Sequence, residues 1–193
     1  MAADVETHPP LTMPAPVVID GLTVRPWIVD DAPALHHAVM ANVEHLRPFM
    51  PWVSEEPVSP AGREAFIRSR HDEAEAGNLL GLGVFRREQV VGTVGLHRRI
   101  SEGGLEIGYW IHVDHVGRGY ATVAAAVATD VAFTQPGIDH VEIHHDRANT
   151  VSRRVPEKLG FELVRTDLPV EPLAPGETGV RWVWRMTADC WTG

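Results

Sequence analysis

From Val17 onward, short apolar runs and polar interruptions alternate along the chain in two distinct periods. Val17-Val18-Ile19 and Leu22-Thr23-Val24 flank Asp20-Gly21, which predicts a tight hairpin. Asp30 or Asp31 can cap a helix with Pro33 in its first turn, running to about Val43. Pro48, Pro51, Pro57 and Pro60 make residues 47–59 a loop. Ser59 as N-cap and Pro60 at the first helical position then open a second helix, closed by Gly77. Three strands are predicted next, over 79–85, 89–96 and 105–113, and the polar turn at 86–88 makes them an antiparallel meander. A helix rich in small residues runs from Tyr120 to about Thr134 and ends before Pro136-Gly137. The rest predicts a strand over 140–145, a helix over 149–159 capped by Gly160, and strands over 161–165 and 180–186. This order, β, α, α, β, β, β, α, β, α, β, β, predicts one mixed α/β (α+β) domain over 17–193 behind a flexible leader of Pro- and Thr-rich residues 1–16.

Composition narrows the function classes. Hydrophobic residues make up 44% and charged residues 22%, ordinary for a soluble globular protein. The longest apolar run, 123–133, is broken by Thr129 and Asp130 and is too short to cross a bilayer, so no membrane partner is expected. Met1 to Pro16 lacks the basic-then-apolar pattern of a secretory signal, and a lone Cys190 suits a reducing cytoplasm. A formal charge of −9 argues against nucleic acid and gives a mild expectation of cationic substrates. Eleven histidines raise the question of a metal, but no cluster supplies three or four ligands, and adjacent His144 and His145 must point to opposite faces of a strand. No metal is expected.

The chemistry concentrates where a predicted strand runs through a glycine-bearing turn into a helix, Leu105 to Thr122. The first N–H groups of a helix have no partner within it, and the helix dipole places its positive end there. A pyrophosphate can bind those donors without net positive charge on the protein. Gly117 and Gly119 would allow close backbone approach, and Arg118 and Thr122 could add side-chain contacts. A tight turn with glycines for geometry alone is the competing reading. A Rossmann site fits poorly because the preceding strands form a meander, and no Gly-Lys-Ser/Thr is present for a P-loop.

Val116-Gly117-Arg118-Gly119-Tyr120-Ala121 resembles motif A of the GNAT superfamily of acyl-CoA-dependent N-acyltransferases, with Val116 where that motif has Gln or Arg. Asn149-Thr-Val-Ser152, continuing to Val155-Pro-Glu157-Lys158-Leu159-Gly160-Phe161, resembles the signature of the Rim-type (RimJ/RimL) ribosomal-protein N-terminal acetyltransferase branch. Glu106-Ile-Gly-Tyr-Trp-Ile and Leu46-Arg47-Pro48-Phe49-Met50-Pro51-Trp52 resemble the same branch, and the likeness spans about residue 20 to Thr187. It implies the GNAT fold, a mixed and mostly antiparallel sheet flanked by helices, whose fourth and fifth strands splay apart around acetyl-CoA. It further implies that the pantetheine arm pairs with the backbone of Trp110, Ile111 and Val113, and that the pyrophosphate meets Val116, Gly117, Arg118, Gly119, Tyr120, Ala121 and Thr122.

Such enzymes transfer the acyl group directly to an amine, which must arrive neutral. A lysine is neutral about once in 2,500 molecules at pH 7, whereas an α-amine is neutral roughly one time in ten. A peptide, protein or small-molecule amine of the second kind needs only a modest base. Glu106, on the fourth strand just before the splay, is the first candidate, set against a solvated strand residue. Ser152 is the candidate donor to the departing sulfur, the role the Rim-type resemblance gives it, set against a helix serine bonded to a backbone carbonyl. Asn149 can serve as both N-cap and pantetheine contact. Trp52, in the proline-rich loop, is placed beside the acceptor. Pro156 falls inside the last predicted helix, where it would free the Ser152 carbonyl, unless that helix starts late enough to put Pro156 in its first turn. Succinyl-CoA as donor and a catalytically silent acyl-CoA-binding module remain as alternatives, and the oligomeric state, a homodimer included, stays open.

Overall fold

A computed structural model describes residues 8–168 and 173–193. Among these residues, eight strands form one sheet in the order β1-β2-β3-β4-β5-β6-β8-β7. The strands are β1 (Val17–Ile19), β2 (Leu22–Pro26), β3 (Leu79–Arg86), β4 (Gln89–His97), β5 (Gly104–Ile111), β6 (His140–Asp146), β7 (Glu162–Asp167) and β8 (Arg181–Thr187). The helices are α1 (Ala32–Leu46), α2 (Pro60–Glu75), α3 (Tyr120–Phe133) and α4 (Thr150–Lys158). Short 3-10 turns cover Val29–Asp31, Pro51–Glu55, Val113–His115 and Ala188–Cys190. With the opening hairpin counted as one strand, the fourth and fifth strands of the sequence reading are β5 and β6.

Every neighbouring pair is antiparallel except β5 and β6. Their parallel ladder covers only Gly104↔His140, Leu105↔Val141 and Glu106↔Glu142. Beyond Glu106 the two strands part, and among the described residues Ile107 to Ile111 keep β4 as their ladder partner. The splay opens there.

Alternation along β5 divides its side chains between two layers. Trp110 joins the cluster of Trp27, Leu35, Val39 and Ile67 beneath α1 and α2. Leu105 and Ile107 join the larger core with Ala124, Ala125 and Ala128 of α3, and Tyr109 packs against it. The small residues of α3 let that helix lie close on the sheet. Caps set several helix ends: the Ser59 hydroxyl accepts from the Gly62 N–H at 3.0 Å, with Pro60 at the first position of α2. At α1 the outcome is different. Asp31 stands at the N-cap position, but its carboxylate takes two bonds of 2.7 Å from Arg25, so no side-chain cap forms.

Two expectations are corrected. The predicted leader is not loose over its described part, for Leu11 is 2% exposed within the core and its N–H donates to the Ala74 carbonyl at 2.9 Å. Thr12 exchanges two bonds of 2.9 Å with the Gln135 side chain. Residues 1–7 of that leader lie outside the described residues. The strand predicted over 105–113 stops at Ile111, because the chain turns through a 3-10 segment at Val113–His115 before reaching α3.

Candidate active site

The turn from His112 to Thr122 is held from both sides. His112 donates its backbone N–H to Val91 of β4 at 2.9 Å, and Val113 donates to the Asn42 side-chain oxygen at 2.6 Å. Asn42 is fully buried on α1 and gives its own amide hydrogen to the Ala38 carbonyl, so α1 fixes where the turn begins. Gly117 and Gly119 have φ of 75° and 82°, left-handed values that strain any residue with a Cβ. Gly119 is the N-cap of α3, and the first helical bond runs from Val123 to its carbonyl. The N–H groups of Tyr120, Ala121 and Thr122 therefore open the helix without partners within it. Val116, Gly117, Arg118 and Gly119 are exposed, and Arg118 reaches back to the Asp114 carbonyl at 3.1 Å. This geometry fits a pyrophosphate, with backbone donors outward and no side chain in the way.

The free edge of β5 follows from its pairing. In an antiparallel ladder, alternate residues turn N–H and C=O toward one neighbour. Because His112 bonds to Val91, the residues paired with Gly95 and Thr93, Gly108 and Trp110, also face β4. Ile107, Tyr109 and Ile111 turn their backbone groups into the splay. The expectation for Trp110 is corrected accordingly: its backbone is spent on β4, and its side chain lies in the α1/α2 layer. The Val113 N–H is likewise taken, by Asn42. An extended arm in the splay would meet Tyr109 and Ile111.

Glu106 and Glu142 are register partners at the last rung of the β5–β6 ladder, and both are buried. Two adjacent carboxylates repel unless cations offset them, and three arginines do. Arg99 holds Glu106 through bonds of 2.8 and 2.6 Å. Arg165 and Arg185 both bond to Glu142. His144, on the same face of β6, places Nε2 2.6 Å from Glu142 and Nδ1 3.4 Å from Glu106. Burial would raise the pKa of Glu106, but the Arg99 bond and the nearby charges outweigh it and hold the carboxyl below its ordinary value. Glu142 is pulled further, to about 2, against its own burial by His144, Arg165 and Arg185. His97, the β4 partner of Glu106, goes the opposite way. Burial, reinforced by Arg99, lowers it to about 4 and keeps it neutral.

Across the sheet lies a second group. The Ser152 hydroxyl is 2.9 Å from the Tyr109 hydroxyl, which also donates to the Ser152 carbonyl at 3.3 Å. Burial drives the Tyr109 pKa up, with the Ser152 bond acting against it. Asn149 caps α4 by accepting from the Ser152 N–H at 3.1 Å. Asp146 anchors the start of this segment, accepting from the N–H groups of Ala148, Thr178 and Gly179 at 2.8 to 2.9 Å. Pro156 is the seventh residue of α4, well past the first turn, and has no N–H for the Ser152 carbonyl. The Tyr109 hydroxyl lies 3.3 Å from that freed carbonyl.

Both groups open onto one cavity of about 800 Å³. Glu106, His144 and His97 line it, as do Tyr109, Asn149 and Ser152, with Trp52 and Met50 of the proline-rich loop at its wall.

Residues 21–162 match the family described as the acetyltransferase (GNAT) domain. The chain belongs to the GNAT family. YdaF of Bacillus subtilis, which carries the name of a ribosomal N-acetyltransferase, is 26% identical over 146 residues, covering 75% of this chain and 79% of its own length. RimL, a ribosomal L7/L12 α-N-protein acetyltransferase solved with coenzyme A, superposes with a TM-score of 0.80 at 20% identity, over 90% of this chain and 98% of its own. RimJ of Mycobacterium smegmatis, solved with a CoA disulfide, gives 0.78 at 23% identity, over 91% and 87%. Acetyl transfer from acetyl-CoA to an amine is thus the reaction of this GNAT domain.

Within the GNAT site, several residues escape a reading of the sequence. Tyr109 is 43 residues from Ser152 in the chain, and only the fold brings the two together. Weighed as a metal ligand, His144 instead lies between two carboxylates. Arg99 and His97 carry no motif at all. The one signal available was parity, since Glu142 and His144 must share a face of their strand.

Proposed function

We propose that this acetyltransferase acts on the α-amine of a peptide or protein in the cytoplasm, with Glu106 and His144 receiving the amine proton and Ser152 donating toward the departing sulfur. The observation that carries this reading is the arrangement of two proton-handling groups on opposite faces of one sheet, meeting where the β5–β6 ladder ends. Acetyl-CoA supplies the activated acetyl group. The pyrophosphate turn and the free edge of β5 orient it, with Gly117 to Thr122 offering backbone donors. On the α1/α2 side, Glu106 is a carboxylate at neutral pH. It suits an amine of pKa 7.7–8 better than a lysine, for its lowered proton affinity makes it a modest base. His144 has Nε2 turned to Glu142, which leaves Nδ1 on the Glu106 side to share the proton. On the α4 side, Ser152 is positioned by its bond to Tyr109 and by the Asn149 cap. The likeness to RimL and RimJ in fold supports the protein or peptide acceptor.

Thiol release from acetyl-CoA, measured with free-α-amine peptides and with N-blocked lysine peptides, tests the reading. The free-α-amine peptides should be the substrates. Glu106→Gln should lower their turnover about ten- to a hundredfold at pH 7, with the deficit shrinking toward pH 9 as the amine deprotonates unaided. A preference for blocked lysine peptides, or a deficit that does not change with pH, would count against it.

A further inference from the structure

Three glycines stand side by side on the α1/α2 face of the sheet. Gly81 pairs with Gly95 across β3 and β4, and Gly95 pairs with Gly108 across β4 and β5. Strands lie about 4.8 Å apart, so the row makes a trough roughly 10 Å long with no side chain of its own, leading from β3 to the splay. The trough borders the Glu106–His97 pair and forms part of the cavity floor. Two side chains lie across it. The His97 ring has Nε2 3.1 and 3.4 Å from where Cβ atoms on Gly95 and Gly108 would stand. The stem of Arg70, from α2, passes 3.5 Å from the corresponding point on Gly81. A Cβ on Gly95 would crowd the His97 ring, whereas one on Gly81 or Gly108 would meet only ordinary van der Waals contact.

Four arginines line the cavity. Arg63 is paired with Glu56 at 2.6 Å and Arg99 with Glu106 at 2.6 Å. Among the described residues, Arg70 and Arg181 have no carboxylate within ion-pair distance. Arg181 begins β8, on the far side of the splay. Arg70 is at the β3 end of the trough, half-buried, with its guanidinium 4.8 Å from the Phe66 ring centroid. One terminal nitrogen reaches the Ser69 hydroxyl at 3.2 Å, while Nε is buried with no partner among the described residues. Buried donors are nearly always satisfied, and although the Nε of Arg63 is also unpartnered, its guanidinium already has Glu56, which leaves Arg70 as the cation suited to an incoming anion. His97 does not supply a competing charge, because its burial keeps it neutral.

We propose that the amine acceptor carries a carboxylate that seats against Arg70 while its amine reaches Glu106 and His144 at the other end of the trough. This rests on the reading of the cavity as the acceptor site. Across a glycine row of roughly 10 Å, a peptide suits the two ends better than a free amino acid, whose α-carboxylate is close to its amine. The spacing fits a peptide whose second residue is Asp or Glu, since each residue of extended chain adds about 3.3–3.6 Å. The protein's net charge of −9 repels such an acceptor at long range, so recognition is local and depends on this one guanidinium.

The test uses the full chain and three peptides with a free N-terminal serine, matched except for Glu, Gln or Lys at the second position. With acetyl-CoA, kcat/KM should favour the Glu peptide over the Gln peptide about ten- to a hundredfold, the strength of a charge-assisted hydrogen bond. Arg70→Gln should bring that ratio close to one, chiefly through KM, and Arg70→Lys should restore part of it. A ratio near one in the unaltered protein would overturn the proposal, as would an equal loss on both peptides in Arg70→Gln. Succinyl-CoA forms the second arm. An Arg70-dependent preference for that donor, with no preference among peptides, assigns the anion to the acyl chain and overturns the acceptor assignment. Peptide binding is followed in parallel through tryptophan fluorescence, since Trp52 and Trp110 line the cavity. If no peptide is acetylated, the acceptor reading of the cavity fails by itself. Arg70-dependent tighter binding of the Glu peptide would still support the anion site, and equal binding of Glu and Gln peptides would overturn it.

Discussion

Ser152 has one hydroxyl proton and two calls on it. If Tyr109 gives its own proton to the Ser152 carbonyl, the Ser152 proton is drawn back toward the Tyr109 oxygen. If Tyr109 gives its proton to Ser152 Oγ, the Ser152 proton is free for the sulfur. The distances, 2.9 Å to Oγ and 3.3 Å to the carbonyl, favour the second arrangement. In the proposed role of Ser152, Ser152→Ala should then lower kcat about ten- to a hundredfold while CoA affinity, read by calorimetry, stays within a factor of two or so, because that role places the bond at the departing thiolate. Tyr109→Phe should lower kcat less, roughly three- to tenfold, since Ser152 survives but loses its orientation. Equal CoA weakening in both variants would instead make the pair part of the binding surface. Ser152 and Glu106 were legible as candidates because motif spacing marks them. Tyr109 was not, since the sequence gives parity along β5 but not which helix will cover its face. The same limit hid Glu142 and His144, whose meeting with Glu106 depends on the register of a three-residue parallel ladder.

At the scale of elements, α4 is the segment whose geometry decides the most. Its N-terminus is fixed by the Asn149 cap and by Asp146, and its interior carries Pro156. A proline inside a helix costs about 3 kcal/mol, and the carbonyl it frees, that of Ser152, lies 3.3 Å from the Tyr109 hydroxyl. Pro156→Ala would restore an N–H to the Ser152 carbonyl and displace Tyr109 from it. Stability should rise by about 1–2 kcal/mol, or a few degrees in Tm. Turnover should fall severalfold as the Tyr109–Ser152 geometry relaxes. Unchanged turnover with a raised Tm would show the proline to be neutral for chemistry. Helix limits were among the more legible features, because Ser59, Gly77, Asn149 and Gly160 act through the local backbone. The end of β5 was not legible, since apolar character continues through Val113 although the chain has already turned. The docking of residues 8–16 was hidden for the same reason: the burial of Leu11 depends on a cleft made by distant elements.

The charged row through the middle of the sheet sets how the whole molecule responds to acid. His97, Glu106 and Glu142 are neighbours on β4, β5 and β6, and their native pKa values are all displaced downward. The sign follows from which state binds the proton. The unfolded chain protonates His97 near pH 6.5, while the native protein resists until about pH 4. Between those values the unfolded state holds the extra proton, so stability falls as pH drops from about 6.5 to 4. The loss attributable to His97 should reach about 2 kcal/mol by pH 4.5. The carboxylates act in a lower window: their contribution is full above their unfolded values near 4.3 and disappears as pH falls toward the native values, about 2 for Glu142. The two windows can therefore be separated by mutation. His97→Gln keeps a polar group over the glycine trough but removes the titration. Urea midpoints at pH 7, 5.5 and 4.5 should decline more steeply in the unaltered protein than in His97→Gln, whose remaining decline comes from His45, His115 and His145, also lowered by burial. Parallel decline of both proteins from pH 7 to 4.5 would mean that His97 takes up its proton without cost in the native state, and that the sheet centre is wetter than its burial implies.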